Sequence, residues 1–229
     1  MKRISLIVPC LNEEEAIPAF KQEIDRVFKE CLEGYAPELI FVDDGSTDRS
    51  LEMIKKMAEH SPEVKFISFS RNFGKEAAIY AGLEAATGDY AAVMDVDLQD
   101  PPSLLPDMLK AIEKEGYDCA GTRRVTRQGE PLLRSFFARA FYKTIHQISD
   151  TRIVDGARDY KLMTRPVLEA LLSLKEYNRF SKGLYEWVGL YEWVGFRTKW
   201  FEYENVERVA GETKWSFFKI GRASCRERV

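Results

Sequence analysis

The sequence predicts an α/β fold: a mostly parallel sheet flanked by helices, with a basic amphipathic helical segment after the core. Two observations predict it. Short apolar runs rich in Ile, Val and Phe alternate with helical-period segments through the first half of the chain, the pattern of a parallel sheet covered on both faces. The expected strands also end in polar, mostly acidic tips, "PCLNEEE", "VDDGSTD", "SRNFGKE" and "MDVDLQD". Open sheets of this kind bind ligands outside the carboxyl ends of their strands.

Taken in order, "ISLIVP" predicts a strand at Ile4–Pro9, followed by a helix at Glu14–Cys31. A second strand is expected at Leu39–Asp43. After it "DDGST" makes a Gly-bearing turn, and Asp48 can cap a helix at Asp48–His60. The alternation continues with strands at Lys65–Ser70, Tyr90–Asp95 and Asp118–Thr122, and helices at Lys75–Ala86 and Ser103–Lys114. From Pro131 to Ile148, Leu132, Leu133, Phe136, Phe137, Phe141 and Ile145 fall along one side of a helix, interleaved with Arg134, Arg139 and Lys143. Such a stripe suits a membrane surface and equally suits packing on the sheet. Beyond it a short strand at Asp159–Met163, helices at Pro166–Leu174 and Phe180–Trp193, and a strand at Phe196–Tyr203 are expected.

At 229 residues and 45% hydrophobic content the chain can bury one large core, which excludes wholesale disorder. The 34 Lys and Arg nearly balance 37 Asp and Glu, and the net charge of -3 argues against a nucleic-acid partner. One stretch departs from this balance: Arg123–Arg152 carries seven basic and two acidic residues, +5 locally, which suits an anionic partner. The four Cys show no CxxC spacing, pointing to a reducing compartment and no zinc site. The apolar run Ile4–Leu11 is too short for a signal peptide, and no run approaches the length of a membrane span.

Two features break the pattern. "LYEWVG" at Leu184–Gly189 recurs, identical, at Leu190–Gly195. Extra residues of that number turn a helix by about 600°, so one copy is expected to bulge out. The final "IGRASCRERV", Ile220–Val229, has no apolar period and matches one reading frame of a widely used sequencing adapter. It is expected to be a non-native tail after a domain spanning residues 1–219.

The acidic tips carry the chemistry. Asp95 and Asp97, two apart at an expected strand end, share a face in extended backbone, with Gln99 two further on. Two carboxylates and an amide oxygen are hard ligands suited to Mg²⁺ or Mn²⁺, and such an ion can also take diphosphate oxygens. An isolated DxD is also compatible with a solvated loop. Asp43 and Asp44, ahead of Gly45 and Ser46, can accept from ribose hydroxyls or a base N–H, or merely form a turn. Glu13 suits an acidic helix start, and Arg71, Asn72 and Lys75 can approach a phosphate or open a helix.

In this order and spacing "VPCLNEEE", "FVDDGSTD", "SFSRNFGKEAA", "GLEAATGDY", "MDVDLQDPP", "RDYKLM", "NRFSKG" and "VERVAGETKW" resemble blocks of the family 2 glycosyltransferases of GT-A fold. The resemblance, from about Ile4 to Lys219, is narrower still to the polyprenyl-phosphate sugar transferases: dolichol-phosphate mannose synthases and bactoprenol glucosyltransferases. It implies a nucleotide-sugar pocket at Pro9, Asn12, Glu13 and Asp43, with Asp44, Lys75 and Asp95 beside it. It implies a diphosphate-bound Mg²⁺ or Mn²⁺ at Asp95, Asp97 and Gln99, and clamps on an acceptor phosphate at Arg123 and Arg134, joined by Arg127. Asp159 falls where the family's candidate base lies, and Arg208 and Lys214 fall in a segment that closes over phosphates. Members of the bactoprenol type continue past "GETKW" into membrane-spanning helices, which implies a parent protein anchored at the cytoplasmic face of the membrane. Many members have Gly where Arg158 stands, and the family usually shows a single "WVGF".

The implied reaction is inverting, metal-dependent transfer of a hexose from a nucleotide sugar, with UDP-glucose favoured, to a polyprenyl phosphate at the membrane surface. Two alternatives stay open: a transferase acting on a soluble saccharide or protein, and a catalytically silent sugar-nucleotide-binding module. Homo-oligomerisation is also left open.

Overall fold

The computed structural model describes residues 1–124, 156–174 and 195–203. The helices expected at 131–148 and 180–193, the doubled hexapeptide apart from Gly195, the tail 220–229, and Arg127, Arg134, Arg208 and Lys214 lie outside the described residues. In chain order the elements are β1 (Lys2–Cys10), α1 (Ala16–Cys31), β2 (Tyr35–Asp43), α2 (Ser50–His60), β3 (Val64–Ser68), α3 (Lys75–Ala85) and β4 (Tyr90–Val93). A 3₁₀ turn at Pro102–Leu104 leads into α4 (Leu105–Glu115), followed by β5 (Cys119–Arg124), β6 (Ala157–Thr164), α5 (Arg165–Ser173) and β7 (Thr198–Tyr203).

The strands form one seven-stranded sheet in the order β3-β2-β1-β4-β6-β5-β7. β1 is parallel to β2 and β4, β2 to β3, and β5 to β7. β6 alone among the described strands runs against its neighbours, β4 and β5. Strand direction is not encoded in apolar periodicity, so a mostly parallel sheet is as far as sequence reasoning reaches.

The alternation of side chains along the strands divides the core into two layers. Ile4, Leu6 and Val8 of β1 and Leu39 and Phe41 of β2 face α1, α2 and α4 through Phe20, Ile24, Ile54, Met108 and Ile112. Ile7, Ile40, Val42 and Val93 face α3 and α5 through Ile79, Leu83, Val167 and Leu168. Gly82 sets how closely α3 lies on the sheet: a Cβ there would stand 2.3 Å from Ile7 Cγ2 and 3.2 Å from Val42 Cγ2. That close approach fixes the line of α3, whose first residue is Lys75.

At the end of the sheet away from the acidic tips, the buried Glu38 of β2 ties four segments together. It accepts hydrogen bonds from Ser5 of β1, from Lys65 Nζ of β3 at 2.5 Å, and from the backbone N–H and hydroxyl of Thr87 at 2.9 and 2.6 Å. Burial alone would push the Glu38 carboxyl up, but these donors outweigh it and hold the group down to about 2. A folded-state value below the unfolded one gives stability that is fully present above about pH 4.3 and is lost as pH falls toward 2. The urea midpoint is therefore expected to drop across that window, and Glu38→Gln to flatten the drop. An acid limb unchanged by the substitution would show that Glu38 does not contribute.

Candidate functional site

Chain connections leave β1 toward β2 on one side and return, through α3, to β4 on the other. This makes the β1/β4 boundary the switch point where an open sheet presents a crevice. Cys10 ends β1 and Val93 ends β4, so the turns after them, Leu11–Asn12 and Met94–Asp97, face each other across it. Asn12 adopts a left-handed φ of 51°, which asparagine tolerates, and its Oδ1 accepts the Thr47 N–H at 2.7 Å. The Ser46 hydroxyl accepts the Asn12 N–H, and the Ser50 hydroxyl accepts the Glu13 N–H, at 2.9 and 2.8 Å. The "DDGST" turn therefore holds the β1 turn in place. The helix expected from Asp48 begins at Ser50, with Arg49 at its N-cap and no side-chain cap bond; Asp48 instead accepts the Ser50 N–H at 2.9 Å within the preceding turn.

The two aspartates that end β2 differ in role. Asp43 is buried, with Ser46 N–H and the Ser68 hydroxyl near it at 3.3 and 3.4 Å. Asp44, also buried, accepts the N–H groups of Phe73 at 2.7 Å and Gly74 at 3.0 Å. Burial raises its pKa above the ordinary aspartate value, with the two N–H groups opposing the rise and the neighbouring Asp43 adding to it. The sequence suggested a sugar-nucleotide contact for Asp44; the structure has its carboxylate anchoring the loop before α3. Gly74 can take that loop's φ of 101°, and Gly45 lets the turn touch it, since a Cβ on Gly45 would lie 2.6 Å from the Arg71 carbonyl carbon.

The anchored loop delivers Lys75, whose Nζ lies 2.6 Å from Asp95 Oδ1 and 2.6 Å from Asp159 Oδ2. These residues come from α3, the turn after β4 and β6, and only the fold brings them together. Loss of hydration around the ammonium in the crevice would lower the lysine's pKa; the two carboxylates raise it well beyond, so the group stays an ammonium.

β4 stops at Val93, two residues short of the expected end, where Met94 N–H makes a last bond to Ile7 O at 3.0 Å. The chain then turns, and Asp95 and Asp97 do not share the face of an extended strand. Asp95 is partly exposed toward Lys75, while Asp97 is buried and accepts the Gln99 N–H at 3.1 Å. Leu98, between Asp97 and Gln99, carries a φ of 56°, uncommon for a residue with a branched side chain and a sign of a conformation imposed by its surroundings.

Sequence reasoning missed a second ionic cluster. Asp100, 1% exposed, accepts Arg158 Nε at 2.9 Å and the Tyr203 hydroxyl. Burial and the neighbouring Asp100 push the Tyr203 hydroxyl up, so it stays a donor. The adjacent Arg158 and Asp159 point to opposite sides of β6, so one strand supplies a cation to Asp100 and a carboxylate to Lys75. "RDY" beside "DLQD" was the available signal, but pairing across 58 residues needs the sheet. Of the expected acceptor clamps, Arg123 is described, and it is paired with Glu202 of β7. Pro9 sits half-buried in β1 opposite Val42.

The donor set fits a divalent ion completed by substrate. Among the described residues no group of three or more His, Cys, Asp or Glu side chains stands ready to hold a metal by itself. Asp95 shares the Lys75 ammonium, while Asp97 and Gln99 follow in the same turn and carry hard oxygen groups, a carboxylate and an amide. Mg²⁺ and Mn²⁺ sites built from one or two carboxylates plus substrate phosphates have this character.

Residues 5–172 match the family model described as glycosyl transferase family 2. The chain is 43% identical over 217 residues to the putative glycosyltransferase CsbB of Bacillus subtilis (strain 168), covering 95% of this chain and 63% of that protein. It is 40% identical over 218 residues to the prophage bactoprenol glucosyl transferase homolog of Escherichia coli (strain K12), covering 95% and 68%. The chain thus spans 63 to 68% of the length of these relatives. Among solved structures it resembles the mannosyltransferase PcManGT from Pyrobaculum calidifontis, in complex with GDP-Man and Mn²⁺, with a TM-score of 0.61 and 20% identity over 97% of this chain and 61% of that one. It also resembles glucosyl-3-phosphoglycerate synthase from Mycobacterium tuberculosis, in complex with phosphoglyceric acid, with a TM-score of 0.65 and 20% identity over 98% and 76%. At such identities the likeness establishes the fold, and the expected GT-A architecture is borne out.

Asp44→Ala would leave the Phe73 and Gly74 N–H groups without their acceptor, and is expected to lower the unfolding free energy by about 1–3 kcal/mol in a urea titration. Asp44→Asn keeps an acceptor oxygen and should cost less. Equal losses in the two variants would mean that these hydrogen bonds are not what anchors the loop.

Proposed function

The chain belongs to glycosyltransferase family 2, and on that premise we propose that it transfers a hexose, with inversion, from a nucleoside-diphosphate sugar to a polyprenyl phosphate at the cytoplasmic face of a membrane. UDP-glucose is the favoured donor. The observation that carries the donor half is the meeting of Lys75, Asp95 and Asp159 beside the β1/β4 switch point, with Asp97 two residues further along the same turn. The acceptor half is supported by the relatives named bactoprenol glucosyl transferase, 40% identical over 218 residues. Among the described residues no helix is long and apolar enough to cross a membrane, so the reading asks for a peripheral contact or for further segments.

In this reading Asn12, Glu13 and Asp43 receive the nucleoside, and Asp97 and Gln99 hold Mg²⁺ or Mn²⁺. When bound, that ion would neutralise charge building on the departing diphosphate. A lipid phosphate oxygen attacks the anomeric carbon; the new C–O bond forms as the bond to the diphosphate breaks, and the electron pair leaves with the nucleoside diphosphate. A phosphate monoester with a second pKa of about 6 is already largely dianionic at neutral pH, so the chain need not remove a proton from it. Asp159, held by Lys75, serves to orient. Arg123, Arg127 and Arg134 meet the acceptor phosphate, with guanidinium forks that match its oxygens; Arg208 and Lys214 close over the donor.

Radiolabelled UDP-glucose offered undecaprenyl phosphate or free sugars tests the acceptor. Label is expected in the lipid fraction, and label only in free sugars would favour a soluble acceptor instead. Asp97→Ala is expected to abolish transfer and Asp159→Asn to leave a measurable rate. Equal loss in both, with unchanged circular dichroism, would make Asp159 a true base.

A further inference from the structure

We propose that Lys75 is a positioning residue acting as a resident cation: shared by Asp95 and Asp159, it disfavours a divalent ion at the carboxylate turn until a nucleotide diphosphate brings compensating negative charge. This rests on the transferase reading and deepens it by setting the order of binding.

The placement of Lys75 is the first argument. It opens α3, where the helix dipole disfavours a cation, so the helix itself gives no reason for a lysine there. Its ammonium instead lies 2.6 Å from each of two carboxylates contributed by separate elements. Second, its backbone is held: Asp44 fixes Phe73 and Gly74 immediately before it, and Gly82 seats α3 against Ile7. The ammonium is therefore delivered to this point by the fold.

The third argument is charge. Asp95 is two residues from Asp97, and a dication drawn to this turn meets the positive charge already resting on Asp95. Arg158, a second cation near the turn among the described residues, is paired with Asp100. A nucleoside diphosphate reverses the balance, because its oxygens can engage both the ammonium and the dication. Lys75 thus makes the carboxylate turn a poor site for a free ion and a good one for an ion arriving with diphosphate.

The test reads Mn²⁺ binding by the loss of free-ion electron paramagnetic resonance signal, with the intact chain and no nucleotide present. Lys75→Met is expected to raise this nucleotide-free affinity about tenfold over the wild type. The gain should vanish when Asp95→Asn is added, and Lys75→Arg should stay as weak as the wild type. Lys75→Gln is the second variant should Lys75→Met fail to fold by circular dichroism. Affinity equal to or below wild type in the folded neutral variant, or a gain that survives Asp95→Asn, overturns the inference. Wild-type turnover of UDP-glucose alongside that negative result would remove this inference and leave the transferase reading standing. Raised affinity in the variant, with no UDP-glucose binding or turnover by the wild type, would remove the transferase reading instead.

Discussion

Three separate pieces of chain meet at one ammonium ion. Asp95 follows β4, Asp159 lies on β6, and both are held to Lys75 at the start of α3. Two carboxylates directed at one crevice repel, and the rest of the site depends on how that repulsion is relieved. A lysine on a helix start relieves it without closing the crevice, since the side chain remains 41% exposed. An aspartate and a lysine facing water would gain little from such a pairing; here two acids share one cation at the mouth of a buried sheet, where each partner also fixes the direction of the others.

The geometry that delivers the lysine is built from small residues and one buried acid. Gly82 allows α3 to lie against Ile7 and Val42, Gly74 takes a backbone conformation that a Cβ would strain, and Gly45 lets the β2 turn touch the loop. Asp44 then satisfies two N–H groups that would otherwise be stranded at the edge of the core. In this arrangement the second aspartate of "DDGS" works on the protein's own backbone, while the first, buried at the end of β2, lies near the Ser46 N–H and the Ser68 hydroxyl.

A second network stiffens the same turn from beneath. Asp100 joins Arg158 of β6 and Tyr203 of β7, so the carboxylate turn is tied to two of the three described strands beyond β4. Buried ion pairs of this kind contribute little net stability, because desolvation offsets their attraction. Tyr203 is also the last residue of β7, so the chain that continues from it starts at a point fixed relative to Asp97. Arg158, where the resemblance implied a glycine, thus has a defined partner in Asp100.

For the described residues the sequence by itself determined the succession of strands and helices, because burial on a sheet and burial on a helix leave different apolar periods. It also placed Asp43, Asp95, Asp97 and Asp159 at or near strand ends, because polar residues that close an apolar run mark where a strand leaves the core. What periodicity could not carry was direction and partnership. The antiparallel setting of β6, the early end of β4 at Val93, the division of labour between Asp43 and Asp44, and the choice of Lys75 as the cation for Asp95 were decided only when the sheet closed. Each of these is a contact between residues far apart in the chain, such as the 84 positions separating Lys75 from Asp159. Local spacing has no term for such a contact until packing supplies it.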